Sequence, residues 1–255
     1  MSVYPGRRVL VTRAAAQSGK LSEALRAIGI VPVDVPVLEI QPPESYHALD
    51  AALRELNQYD WLLFTSMNSV VSFQVRAMDL GVSLTDLKPQ IAAVGTATAQ
   101  ALEAFVHLKV ALTPQKYVAE SLVAELKDRV AGKRVLLARA AVARDVIPNE
   151  LRDAGATVDV VDAYRNVMPE AAPKQLSEAV DDGLAAVTFT SSSSVTHLAE
   201  AARVAKIAFP FANVPAISIG PVTTATLCEH HWVPAAEADP HDIPGLVEAV
   251  QKVLG

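Results

Sequence analysis

Short runs rich in valine, leucine and isoleucine alternate along the chain with segments of helical period. The runs are Val9-Leu10-Val11, Trp61-Leu62-Leu63-Phe64, Ile91-Ala92-Ala93-Val94, Val135-Leu136-Leu137, Ala186-Val187-Thr188-Phe189 and Ile217-Ser218-Ile219. Runs this apolar suit strands covered on both faces, which predicts parallel sheets with helices packed on each side. Between them, Ser18 to Ala27, Ser45 to Leu56, Ser121 to Val130 and Ile243 to Leu254 read as amphipathic helices. Several follow Ser, Thr or Asp residues able to cap a helix start. The fold class is therefore α/β. Two extended β-rich segments, Ile30 to Ile40 and Thr157 to Met168, are longer than a buried strand needs and read as a paired connection between domains.

The pattern repeats. Gly6-Arg7-Arg8-Val9-Leu10-Val11-Thr12-Arg13-Ala14 matches Gly132-Lys133-Arg134-Val135-Leu136-Leu137-Ala138-Arg139-Ala140 at an offset of 126, and Leu25-Arg26 with Gly29 recurs as Leu151-Arg152 with Gly155. Phe64-Thr65-Ser66-Met67-Asn68-Ser69-Val70 matches Phe189-Thr190-Ser191-Ser192-Ser193-Ser194-Val195 at 125, as Val94-Gly95 with Thr98 matches Ile219-Gly220 with Thr223. Leu122-Val123 pairs with Leu246-Val247 at 124. Segments in the same order at offsets this uniform describe a duplicated α/β unit. Open parallel sheets gather their loops and helix N-termini at the strand C-terminal ends, so two such units place a ligand site in a cleft between the halves.

Composition narrows the chemistry. The chain has 255 residues, 51% hydrophobic and 20% charged, enough for one large domain or two ordinary ones with real cores. A net charge of −6 leaves no broad cationic face for a nucleic acid. Its one cysteine, Cys228, excludes an internal disulfide and a thiolate zinc cage and fits a reducing compartment, the cytoplasm. Neither the residues after Met1 nor any later window reads as an export leader or a membrane span. Cys228-Glu229-His230-His231 and His241 match no metal-ligand spacing, so no metal is expected.

Candidate chemistry gathers at the strand ends. Thr65-Ser66 and Thr190-Ser191 close apolar strands and open helices, where hydroxyls and free backbone N–H groups form an anion-receiving lip or, more simply, ordinary N-caps. Gly95 to Thr98 and Gly220 to Thr223 repeat the arrangement, without a dinucleotide fingerprint or a Walker lysine. Arg13 and Arg139 occupy equivalent positions after the first strand of each half, with Arg144 close behind; guanidinium forks suit carboxylates. Tyr164 lies in the second long segment, and a phenol can donate a proton to a departing oxygen.

Taken together these segments resemble the uroporphyrinogen-III synthases, with Gly132 to Arg139, Leu151 to Arg165 and Ile219 to Thr223 carrying as much of the likeness as the first-half motifs. The resemblance implies two similar parallel-sheet α/β domains joined by a two-stranded β ladder. One domain would be 1–36 with 169–255, the other 41–162, and 37–40 and 163–168 the connections. It implies a lyase that needs no cofactor. The enzyme would close and dehydrate hydroxymethylbilane, a linear tetrapyrrole with eight carboxylates, to uroporphyrinogen III with ring D inverted through a spiro intermediate, on the route to heme, siroheme and cobalamin. Tyr164 aligns with the family's functional tyrosine, and Thr98, Ser193 and Thr223 with cleft positions. Arg13, Thr65, Ser66, Asn68, Arg139, Arg144 and Ser191 complete the expected substrate contacts. A cytoplasmic monomer, in transient contact with the upstream deaminase at most, is expected. The competing reading is a noncatalytic two-domain hinge protein closing on a small polycarboxylate.

Overall fold

The computed structural model describes residues 6–255, without the side chains of 15–17. The leader reading at Met1 to Pro5 and the start of the expected first domain lie outside the described residues. The chain divides into two compact units, one holding Met1–Glu39 and Val167–Gly255, the other Ile40–Asn166.

In chain order, β1 (Arg8–Val11), α1 (Ala15–Ala27) and β2 (Val31–Asp34) belong to the first unit. From β3 (Glu39–Gln41) the chain builds the second: α2 (His47–Arg54), β4 (Trp61–Phe64), α3 (Met67–Asp79), β5 (Gln90–Ala93), α4 (Thr96–Phe105), α5 (Ala119–Leu126), β6 (Arg134–Ala140), α6 (Val146–Asp153) and β7 (Thr157–Val167). It then returns for α7 (Ala172–Asp181), β8 (Ala186–Phe189), α8 (Ser192–Ala205), β9 (Ala216–Ser218), α9 (Pro221–Glu229), β10 (Ala236–Glu237) and α10 (Ile243–Leu254).

The sheets run β10-β9-β8-β1-β2 and β3-β7-β6-β4-β5. Pairing is parallel throughout the first sheet and between β7, β6, β4 and β5 in the second. The repeat is visible in these orders. Strands β6 and β7 stand in the second sheet where β1 and β2 stand in the first, and β4 and β5 correspond to β8 and β9. A parallel bridge from Ala92 to Leu112 takes the place of β10. Each unit thus joins the opening β-α-β of one repeat to the closing strands of the other.

The all-apolar strands face two layers, as their composition requires. In the second unit Leu62, Phe64, Leu136 and Ala138 point to one core, while Trp61, Leu63, Val135 and Leu137 point to the other. In the first unit Leu10, Val187 and Phe189 alternate in the same way with Val9, Val11 and Ala186. Between β1 and β8 two buried hydroxyls lock the pairing: Thr12 Oγ1 donates to the Thr188 carbonyl and Thr188 Oγ1 to the Leu10 carbonyl, both at 2.9 Å.

The segment expected to run unbroken from 30 to 40 is instead two strands in different sheets, separated by Val35 to Leu38. Pro36 has no N–H to give a ladder, which ends β2. The partner segment is one eleven-residue strand, β7, with β3 beside it in the same sheet. Arg165 holds the two together, donating from Nε to the Pro42 carbonyl at 3.0 Å and from Nη2 to Gln41 Oε1 at 3.2 Å. Helix bounds differ too: α1 begins at Ala15 with Ala14 uncapped, and α2 and α5 are shorter than their apolar periods, each followed by a 3-10 turn.

On α8, His197 is pushed toward its neutral form by burial, against a hydrogen bond to the Val37 backbone that acts the other way, and its buried Nδ1 has no partner among the described residues.

This packing can be tested by stability. Thr12→Val and Thr188→Val should each cost about 1 kcal/mol in urea unfolding, the net worth of one buried hydrogen bond; no loss in either would contradict the hydroxyl lock. For His197 the folded-state pKa lies below the ordinary 6.5, so the unfolded chain takes up a proton that the folded one resists. Its contribution to stability is fully present above that value and is lost as the pH falls through it. His197→Asn should flatten the fall in stability between about pH 7 and pH 5, measured as unfolding midpoint against pH.

Candidate active site

Because the central strands of each sheet are parallel, the loops that follow them lie along one edge of their own unit. In the second unit that edge carries Thr65 and Ser66 after β4, Gly95 to Thr98 after β5, Arg139 near the end of β6 and Tyr164 in the last part of β7. In the first unit it carries Arg13 after β1, Ser191 and Ser193 after β8, and Thr223 after β9.

Tyr164 reaches its place through a register shift. Strand β7 pairs residue for residue with β6 up to Asp162 opposite Arg139, but Ala140 then stands opposite Tyr164. One extra residue on β7 makes a bulge, which turns the following side chain to the other face. Without it Tyr164 would share the face of Val158 and Val160; with it, the ring joins Ala163, Phe64 and Phe73 in the opposite core. Ala141 N–H then bonds the Tyr164 carbonyl at 2.8 Å. The ring is 6% exposed, and its hydroxyl lies 3.1 Å from Ser66 Oγ.

Ser66 is the N-cap of α3. Its Oγ accepts the Ser69 N–H at 3.1 Å, and Ser69 Oγ accepts the Ser66 N–H at 3.3 Å, a reciprocal box that satisfies donors at the helix start. Ser191 is the N-cap of α8, accepting the Ser194 N–H at 3.2 Å, while Ser194 Oγ donates to the Ser191 carbonyl at 2.6 Å. The capping reading and the lip reading therefore describe the same hydroxyls. The partner serines at 69 and 194 are absent from the sequence-derived set, although their three-residue spacing from each cap is visible in the chain. Asn68 and Ser193 are half-buried in the first turns of α3 and α8; Thr98 and Thr223 are buried in those of α4 and α9.

The arginines differ. Arg139 is 11% exposed, donating from Nη2 to Asp145 Oδ1 at 2.7 Å and from Nη1 to the Arg144 carbonyl at 3.0 Å, which braces the turn into α6. Arg144 pairs with Glu120 at 2.8 Å, and Glu120 is held below the usual carboxylate range by its own backbone N–H and then by Arg144. Arg13 has no ion pair among the described residues. Its Nε is buried without a partner there, and burial pulls its guanidinium below the ordinary value. No group of three or more His, Cys, Asp or Glu placed to hold a metal occurs among the described residues.

The two caps make a measurable contrast. Ser191→Ala should cost about 1 kcal/mol, the value of an N-cap. Ser66→Ala should cost more, because the same hydroxyl also partners the buried Tyr164 oxygen. Equal losses in denaturant unfolding would count against the Ser66–Tyr164 bond.

The comparisons with known proteins agree with one another. Residues 19–248 match the family model described as uroporphyrinogen-III synthase HemD. A uroporphyrinogen-III synthase of Synechococcus elongatus is 34% identical over 97% of this chain and 95% of its own length. The crystal structure of a mutant uroporphyrinogen III synthase from the extremely thermophilic bacterium Thermus thermophilus superposes with a TM-score of 0.70 at 21% identity, covering 97% of this chain and 98% of that one. The synthetase of Helicobacter pylori gives 0.66 at 19% identity, over 97% and 99%. These two likenesses establish the two-unit α/β fold, and the matches in sequence settle the lineage: the chain belongs to the uroporphyrinogen-III synthase family.

Proposed function

We propose that the protein closes hydroxymethylbilane to uroporphyrinogen III, as a lyase of tetrapyrrole biosynthesis that works without a cofactor. The family match over most of the chain supports the reaction. The observation that carries the site is the Tyr164 hydroxyl, held 3.1 Å from the N-cap oxygen of α3.

The chemistry asks for three things. The hydroxymethyl oxygen must leave as water, the azafulvene so formed must meet the substituted position of ring D, and the spiro intermediate must open and reclose inverted. The pyrrole nitrogen supplies the electron push, so the protein's part is to protonate one oxygen and hold the chain in a productive conformation. Tyr164 is the proton donor in this reading. Its ring is fixed by the core, and the N–H dipoles of α3 favour negative charge building on the phenol oxygen as the proton leaves. Only water is lost overall. The proton given is matched by the one shed when ring D recloses.

The eight carboxylates need donors. Arg13 is the strongest candidate, a partly desolvated guanidinium with no ion pair among the described residues, which an incoming carboxylate would complete. Thr65, Ser66, Asn68, Thr98, Ser191, Ser193 and Thr223 offer hydroxyls, amides and helix-start N–H groups. Arg139 and Arg144 contribute charge near the same edge while bonded to Asp145 and Glu120. A noncatalytic hinge protein is not favoured, since the relatives that match the chain end to end are synthases. The net charge of −6 fits no role for nucleic acid, and no helix among the described residues is long and apolar enough to cross a membrane. We place the protein in the cytoplasm as a monomer that meets the upstream deaminase at most transiently.

The test is to generate hydroxymethylbilane with its deaminase, add the protein, oxidise the products and separate the type I and type III porphyrins. Type III rising with protein concentration is expected; only type I from folded protein would overturn the reading. Tyr164→Phe should lower kcat about 100-fold or more while changing KM little, the loss of a general acid. Unchanged kcat would remove Tyr164 from the proton transfer.

A further inference from the structure

Two rings outside the expected site occupy the same place in the two repeats. Tyr117 precedes α5 and His241 precedes α10, at the offset of 124 that relates Leu122 to Leu246. Each follows the outermost strand of its sheet, the bridged segment at Leu112 or β10, and so stands at the edge of its own unit that carries that unit's hydroxyl lips. Each also lies over the glycine that starts a site helix. A Cβ built on Gly95 would meet Tyr117 Cβ at 3.4 Å and Cγ at 3.5 Å, and one on Gly220 would meet His241 Cγ at 3.3 Å.

Neither glycine needs its freedom for backbone reasons, since both are extended, with φ of −146° and 172°. What the missing side chain allows is the close approach of a ring. Yet these rings are not buried by it. Tyr117 is 54% exposed, and His241 is exposed too. An exposed ring beside a helix start, repeated in both halves of the chain, is more than packing requires.

The His241 ring is also oriented. Its Nδ1 lies 2.7 Å from the Ala238 carbonyl, which can only accept, so Nδ1 carries the hydrogen. With its hydrogen on Nδ1, the imidazole has Nε2 as its acceptor. The loop beneath is firm: Asp242 Oδ1 caps α10 through the Gly245 N–H at 2.8 Å, and Gly245 lets the Pro240 carbonyl press against the helix.

We infer that Tyr117 and His241 are substrate-positioning residues, each holding a pyrrole ring of the linear tetrapyrrole rather than one of its carboxylates. A pyrrole offers a flat π face and a single N–H donor. The tyrosine ring matches the face, and His241 Nε2 matches the donor. This rests on the synthase reading of the same edge, and adds ring contacts to a site otherwise built from anion receptors. Holding the pyrroles as well as their side chains is what a reaction that must turn one ring over demands.

The test uses Tyr117→Leu and His241→Leu, which keep a side chain over each glycine but remove the ring face or the acceptor, with Tyr117→Phe as the rescue. With enzymatically generated hydroxymethylbilane, each leucine variant should raise KM about three- to tenfold, the worth of one ring contact, and leave kcat within about twofold. Tyr117→Phe should restore the wild-type KM. Thermal melting of each variant separates loss of fold from loss of binding. If either leucine variant melts as wild type and keeps its KM, the inference is wrong. If either is too unstable to assay, Tyr117→Ala and His241→Ala take its place under the same criterion. Wild-type protein yielding no type III isomer would instead overturn the synthase reading, so the two failures are distinct.

Discussion

The parallel pairing of β1 with β8, and of β4 with β6, is the constraint on which the rest of the molecule depends. Both pairs lie at the centre of their sheets, and both join strands from different repeats. Neither repeat therefore has a complete sheet of its own. Crossing from one unit to the other twice, near Glu39 and again near Val167, is the direct result. The reciprocal Thr12 and Thr188 bonds make the first of these pairings specific, since a register slip would bury two hydroxyls without their carbonyls.

Parallel strands also decide where chemistry can sit. Their C-terminal ends point one way within a sheet, so a hydroxyl after β4, another after β5 and an arginine at the end of β6 fall along one edge without further instruction. Duplication then copies the edge. The copies have diverged in their charges: Arg139 spends its guanidinium on Asp145 and the Arg144 carbonyl, whereas Arg13, its counterpart, carries no such pair among the described residues. Both keep a buried Nε without a partner among the described residues, so the difference between them lies in the ion pair.

Much of this is legible in the chain. The apolar runs locate six of the ten strands among the described residues, because residues such as Leu62 and Leu63 that face two cores leave no polar alternation to misread. The repeat exposes the hydroxyl lips. It cannot expose the bulge between Arg139 and Ala140, since a period of two places Tyr164 on the face of Val158 and only the inserted residue moves it to Ser66. Nor does it divide residues 30 to 40 between two sheets, because Val, Pro, Val and Leu look extended whether or not they pair. Tyr117 and His241 escape a reading of the chain for another reason: their equivalence lies in what they cover, and a glycine's neighbours are not written in sequence.

The exchange of strands between repeats has a consequence for synthesis. Ile40–Asn166 is one continuous stretch, whereas in the other unit Leu10 awaits Thr188, 178 residues later. At about 5–20 residues per second on the ribosome, that interval is roughly 10 to 40 s. Throughout it β1, apolar and paired only with β2, has one edge open, and an open strand edge invites pairing with another chain. It is β8, followed by five more elements, that closes this edge of β1.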